Sequence, residues 1–216
     1  MQNFHYSNHH YRNRHYDNSM KRILLTGFEP FHEYKINSSW SLVDSFENTT
    51  SGIECIKFRL PVEFRVVSSI VPEILKQYKP DIVLAFGQCT GDSIRIERVA
   101  LNLDDARTAD NSGYTPADEP IHADGKNAYF SSLPIKAIQH AVAAKNIPAI
   151  ISNSAGTYVC NHLFYELLYW CDKLSLPTKI GFVHLPRLTE QVSGTQNPSL
   201  PLQQMQIALH EIIKIL

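Results

Sequence analysis

Residues 62–86 read Val62-Glu-Phe-Arg-Val-Val-Ser-Ser-Ile-Val-Pro-Glu-Ile-Leu-Lys-Gln-Tyr78-Lys-Pro-Asp81-Ile-Val-Leu-Ala-Phe86. Val67, Ile70, Val71, Ile74, Leu75 and Tyr78 recur at helical spacing, so 62–78 reads as a helix with one apolar stripe. Pro72 either kinks it or marks a fresh start. After Asp81 the next five residues are all apolar. A strand with no polar alternation needs cover on both faces, as inside a parallel sheet. The same alternation runs outward in both directions. Strands are expected at 22–26, 53–58, 94–103, 149–152 and 179–185, and helices at 38–46, 134–145, 159–174 and 201–216. Residues 104–127 are polar and rich in turn formers and read as an irregular lobe. The pattern predicts a three-layer α/β fold with a twisted, mainly parallel central sheet flanked by helices, of the phosphorylase or hydrolase kind.

The chain has 216 residues, 44% of them hydrophobic, and a formal net charge of −1. That balance suits one globular domain, expected over 20–216, and argues against a nucleic-acid partner held by bulk positive charge. No stretch approaches the ~20 apolar residues that span a bilayer, so no membrane partner is expected. Residues 1–19 are rich in Asn, His and Tyr with almost no aliphatic side chain. They read as a disordered extension, and Met20 as the natural start of the folded chain. Cys55, Cys89, Cys160 and Cys171 form no CxxC pair and no zinc spacing, which reads as free thiols in a reducing, cytoplasmic compartment. Neither a metal nor a cofactor is expected.

In open α/β sheets ligands gather beyond the carboxyl ends of the strands. Here those ends lead into Gly27-Phe-Glu-Pro-Phe31, Gly87-Gln-Cys89, Ser154-Ala-Gly-Thr-Tyr-Val-Cys160 and His184-Leu-Pro186. Cys160 follows a small-residue loop and heads a helix. There the dipole favours thiolate, lowering the pKa from the free value of ~8.5, and unpaired N–H groups can hold an oxyanion. Cys171 lies on the apolar stripe of that helix and Cys55 inside a strand, so both read as packed thiols; Cys89 is the rival. A cysteine nucleophile needs a base. His184 ends a strand at the same expected edge, whereas His162, two residues beyond Cys160, points about 200° away. His122 and His140 read as loop and helix-surface residues.

The stretch Gly156-Thr-Tyr-Val-Cys160-Asn-His-Leu-Phe-Tyr165 resembles the pyroglutamyl peptidase I (pyrrolidone-carboxylate peptidase) family. Four further blocks resemble it in order: Leu25-Thr-Gly-Phe-Glu-Pro-Phe31, Glu97-Arg-Val-Ala-Leu-Asn102 with Asp105-Ala-Arg107 and Asp110-Asn-Ser-Gly113, Ala128-Tyr-Phe-Ser-Ser-Leu-Pro-Ile-Lys136, and Gly181-Phe-Val-His-Leu-Pro186. The resemblance implies a cofactor-free cysteine peptidase that removes N-terminal pyroglutamate from peptides, assembled as a homotetramer. Carried over, Cys160 is the nucleophile, His184 the base and Glu97 its acidic partner, with Cys160 and the Arg107 region at the oxyanion. Phe28, Phe31, Gln88, Thr108, Tyr158 and Val159 fall on substrate-wall positions. Gln88 is a side chain able both to donate to the lactam C=O and to accept from its N–H. Tyr158 stands where the family usually has Phe, and Ser38 where the pattern Asn-Pro-Ser-Trp has Pro. The competing readings are a nucleoside-phosphorylase-like transferase and a catalytically silent lactam-binding relative.

Overall fold

The computed structural model describes residues 20–216, so the disorder expected of 1–19 lies outside the described residues. A six-stranded sheet has the order β2-β1-β3-β8-β4-β7, formed by β1 (Lys21–Phe28), β2 (Ile53–Leu60), β3 (Ile82–Gln88), β4 (Ile94–Glu97), β7 (Ala149–Ser152) and β8 (Lys179–Leu185). A two-stranded ribbon pairs β5 (Val99–Leu101) with β6 (Ala128–Phe130). The helices are α1 (Ser38–Ser45), α2 (Phe64–Tyr78), α3 (Ile135–Ala143), α4 (Val159–Lys173) and α5 (Leu202–Ile215).

Alternation along the strands divides the interior into two cores. Ile23, Leu25, Leu84 and Phe86 face α1, α3 and α5, while Leu24, Val83, Ala85 and Phe182 face α2 and α4. This is the expected three-layer arrangement, and each fully buried aliphatic or aromatic side chain contributes about 1.5–3 kcal/mol. Helix α2 runs unbroken through Pro72. Its first backbone N–H, at Phe64, is capped from the lobe by Asp110 Oδ2 at 3.0 Å.

Two expectations are corrected. The single strand at 94–103 is two strands in different sheets: the chain leaves β4 at Arg98, whose carbonyl accepts from Ser131 N–H, and enters the ribbon. The strand ends also do not all meet at one edge. β4 is antiparallel to β8, and β7 is parallel to β4. Residues 89–93 are too few for a crossover, so the chain must reverse after β3. Residues 153–158 therefore carry the chain from β7 to the start of α4 beside the ends of β3 and β8.

Candidate active site

Three elements meet at the carboxyl ends of β3 and β8. Gly87 of β3 is in register with His184 of β8, and Arg95 of β4 pairs with His184 from the other side. Glu97, two residues beyond Arg95, shares the sheet face of His184, a diagonal within reach of a long side chain. Glu97 Oε1 lies 2.8 Å from His184 Nδ1, and both residues are buried. Arg95 and Arg98 turn elsewhere, to Thr90 O and Asn153 Oδ1, so neither takes up the Glu97 charge. Glu97 Oε2 is buried without a hydrogen-bond partner among the described residues.

With Nδ1 occupied, Nε2 of His184 is left for Cys160. Burial opposes a charge on the ring. The charge of Cys160 and a hydrogen bond to it, followed by the bond and charge of Glu97, outweigh that and push the pKa up to about 9. The ring thus favours its protonated form beside Cys160. Cys160 is the second residue of α4, whose N-cap, Tyr158, makes no side-chain cap. The first N–H groups of the helix are therefore free to serve an incoming anion. Gly87 makes the close approach possible: a Cβ there would sit 2.6 Å from Cys160 Sγ and 2.9 Å from the Phe182 ring. The other three thiols are pushed up by burial, Cys55 and Cys89 to about 11 and Cys171 to about 12.

A cavity of about 130 Å³ opens onto Cys160, walled by Phe28, Phe31, Tyr158, Val159 and Gln88, and also by Tyr34, Ile36, Asn37 and Val62. None of the last four was expected at the site: Tyr34, Ile36 and Asn37 lie in the segment after β1, which shows no periodic pattern, and Val62 read as the start of a helix. Ser39 Oγ accepts from Phe28 N–H and donates to Asn37 Oδ1, and Asn37 Nδ2 donates to Glu29 O, which pins that segment. Gln88 Oε1 accepts from Ser38 N–H at 2.8 Å, leaving its NH₂ as the end that can donate to a ligand. Tyr158 OH donates to Ala109 O, tying the wall to the lobe. Arg107 and Thr108 are exposed and are not part of the cavity lining. His122, expected as a plain loop residue, stacks on Tyr169 and meets Glu166 Oε2 at 3.0 Å. A larger depression of about 310 Å³ holds Lys126–Asp172 and Lys173–Asp124 pairs and no nucleophile.

The arrangement brings a cysteine sulfur, an imidazole and a carboxylate together, with helix N–H groups and a small, mostly apolar cavity alongside. It suits acyl transfer to sulfur. The family model for pyroglutamyl peptidase matches residues 21–216. The chain belongs to the pyroglutamyl peptidase family. Similar proteins include the pyrrolidone-carboxylate peptidase of Thermosipho melanesiensis, 46% identical over 195 residues (89% of this chain, 96% of the relative). That of Lacticaseibacillus paracasei is 45% identical over 183 residues (84% and 85%). Among solved structures, pyroglutamyl peptidase I of Bacillus amyloliquefaciens superposes with a TM-score of 0.86 at 36% identity, covering 90% of this chain and 96% of that one. In this family member the cavity and the Glu97–His184–Cys160 line lie within the matched residues.

Proposed function

We propose that the chain hydrolyses the bond after an N-terminal pyroglutamyl residue through an acyl-enzyme on Cys160. The observation that carries this reading is the placing of His184 between Glu97, 2.8 Å from its Nδ1, and Cys160, beside a cavity sized for one small ring. The lactam enters the cavity walled by Phe31 and Tyr158, whose rings pack on each other with centroids 5.3 Å apart and present a joint aromatic wall. Its ring C=O accepts from Gln88 Nε2. The Cys160 thiolate attacks the pyroglutamyl carbonyl, and the oxyanion takes hydrogen bonds from N–H groups at the start of α4, that of Cys160 first. His184 gives its proton to the leaving amine as the C–N bond breaks and the thioester forms. It then takes a proton from water, which attacks the thioester and releases pyroglutamate and the thiolate. Arg107 and Thr108, exposed on the lobe, are not assigned a step.

The reading extends to one peptidase domain over 20–216, to peptides as substrates, and to a homotetramer in the cytoplasm. Four cysteines without a disulfide suit a reducing compartment. Among the described residues no helix is long and apolar enough to cross a membrane. The transferase reading is not favoured, because the matching family is a peptidase family. Release of a fluorophore from a pyroglutamyl amide in phosphate-free buffer, lost in Cys160→Ser, tests the proposal. Turnover that needs phosphate, or that survives the substitution, contradicts it.

A further inference from the structure

Behind the cavity wall lies a second buried polar cluster that acyl transfer does not use. His162 is 4% exposed; its Nδ1 lies 2.7 Å from Asp104 Oδ2 and its Nε2 2.8 Å from Ser68 Oγ. Glu166, one turn further along α4, brings Oε1 to 3.6 Å from Nε2, and its Oε2 meets His122. Asp104 Oδ1 is buried with no partner among the described residues. Serine, histidine and aspartate in this order resemble a hydrolytic triad, but the geometry lacks the rest of one. Ser68 sits in the middle of α2, away from any helix N-terminus, and lines neither of the two cavities described above.

What the cluster joins is informative. Asp104 begins the lobe, and its neighbour Asp105 is doubly bonded to the loop before Cys160: Asp105 N–H donates to Thr157 O at 3.0 Å, and Thr157 Oγ1 donates to Asp105 O at 2.7 Å. Ser68 belongs to α2, whose first residue, Phe64, stands edge-on to both His162 and Tyr158 with centroids 5.3 Å apart in each case. Two short routes thus run from His162 to the Tyr158 wall. One passes through Phe64 and the other through Asp104, Asp105 and Thr157.

We propose that His162, held between Asp104 and Ser68, is a positioning residue for the substrate cavity. It sets the place of Tyr158 and so governs how tightly the pyroglutamyl group is bound, not how fast its bond is cut. The inference rests on the peptidase reading above. The groups facing the ring are Asp104 and, acting on Asp104, Glu119 from the lobe; Ser68 from α2; and Glu166 from α4 itself, whose other oxygen is held by His122. Two carboxylates against one imidazole make the tie sensitive to the charge on Asp104. Removing that charge alters the pH profile of KM and leaves that of kcat in place.

The test is steady-state kinetics on a pyroglutamyl fluorogenic amide with Asp104→Ala, Asp104→Asn and Ser68→Ala, each checked by thermal unfolding. Asp104→Ala is expected to raise KM about fivefold with kcat within about twofold of wild type. Asp104→Asn keeps an acceptor for Nδ1–H, so it is expected to recover most of the affinity at neutral pH with a flattened KM–pH profile. Ser68→Ala, placed where alanine suits the helix, carries the test if Asp104→Ala does not fold, with KM rising about threefold. A KM unchanged in Ser68→Ala and in folded Asp104→Ala, or a loss confined to kcat, overturns the inference and leaves the peptidase reading intact. A wild-type chain that releases no fluorophore takes both down together.

Discussion

Gly87→Ala tests the geometry of the site with one methyl group. The added Cβ would lie 2.6 Å from Cys160 Sγ, 2.9 Å from Phe182 Cζ and 3.1 Å from Phe182 Cε1. Strand geometry at this position admits alanine, so the conflict is with the neighbours alone. Regaining an ordinary separation of ~3.5 Å or more means moving the sulfur by about 1 Å, or moving the Phe182 ring, which packs 4.9 Å from His184. Either shift disturbs the contact between Cys160 and His184. Overpacking of this kind costs about 1–3 kcal/mol of stability. A misplacement of ~1 Å at a reacting atom costs roughly 100-fold in rate, close to 2.7 kcal/mol of barrier. The assay is kcat on a fluorogenic pyroglutamyl amide, with thermal unfolding to show that the variant is folded and alkylation rate to follow the sulfur. Near-wild-type kcat in a folded Gly87→Ala protein would show that Cys160 does not depend on this contact and would refute the reasoning.

Further outcomes follow from the charges and caps. His184 has a folded pKa above its ordinary value, so its contribution to stability is present below about 6.5 and lost as pH rises through about 9. The alkaline fall of kcat/KM follows the same proton, and Glu97→Gln, which removes part of what holds it, is expected to move that fall to lower pH; an unmoved limb contradicts the pairing. Asp110 is pulled below its ordinary range because hydrogen bonds from Ser112, Tyr114 and Phe64 outweigh burial. Its contribution is therefore present above the usual carboxylate pKa and lost as pH falls through the lowered one. Asp110→Ala is expected to cost about 2–3 kcal/mol by chemical denaturation at neutral pH and to weaken the acid dependence. With Cys55, Cys89 and Cys171 held as thiols by burial, iodoacetamide near pH 7 is expected to label Cys160 first, activity falling in step. Peptide mapping that shows Cys89 labelled first would contradict this.

The local pattern of the chain carried most of the fold. The helical stripe of α2 and the unbroken apolar run of β3 are properties of neighbouring residues, and periodicity reports them directly. Strand direction is not such a property. β4 and β7 run against β8 because the link after β3 is short, and the apolar pattern of 94–103 has no mark at Arg98 to show where the chain changes sheets. β6, three residues long, is too brief for any period to appear. At the site, Cys160 could be singled out from its place at a helix start and His184 from its place at a strand end. Glu97 could not, because its partner lies 87 residues away and only the family resemblance pointed to it. Separations of 44 and 50 residues likewise hid the pairing of His122 with Glu166 and the use of Gln88 Oε1 by Ser38 N–H.

The central claim is that the pyroglutamyl group passes through the sulfur of Cys160. Acid quenching of the enzyme during turnover of a pyroglutamyl ester or amide, followed by peptide mapping by mass spectrometry, tests it directly. The account predicts one pyroglutamyl group attached as a thioester on the peptide carrying Cys160, absent from Cys160→Ser. An adduct on another residue, or full turnover with Cys160 replaced, would contradict it.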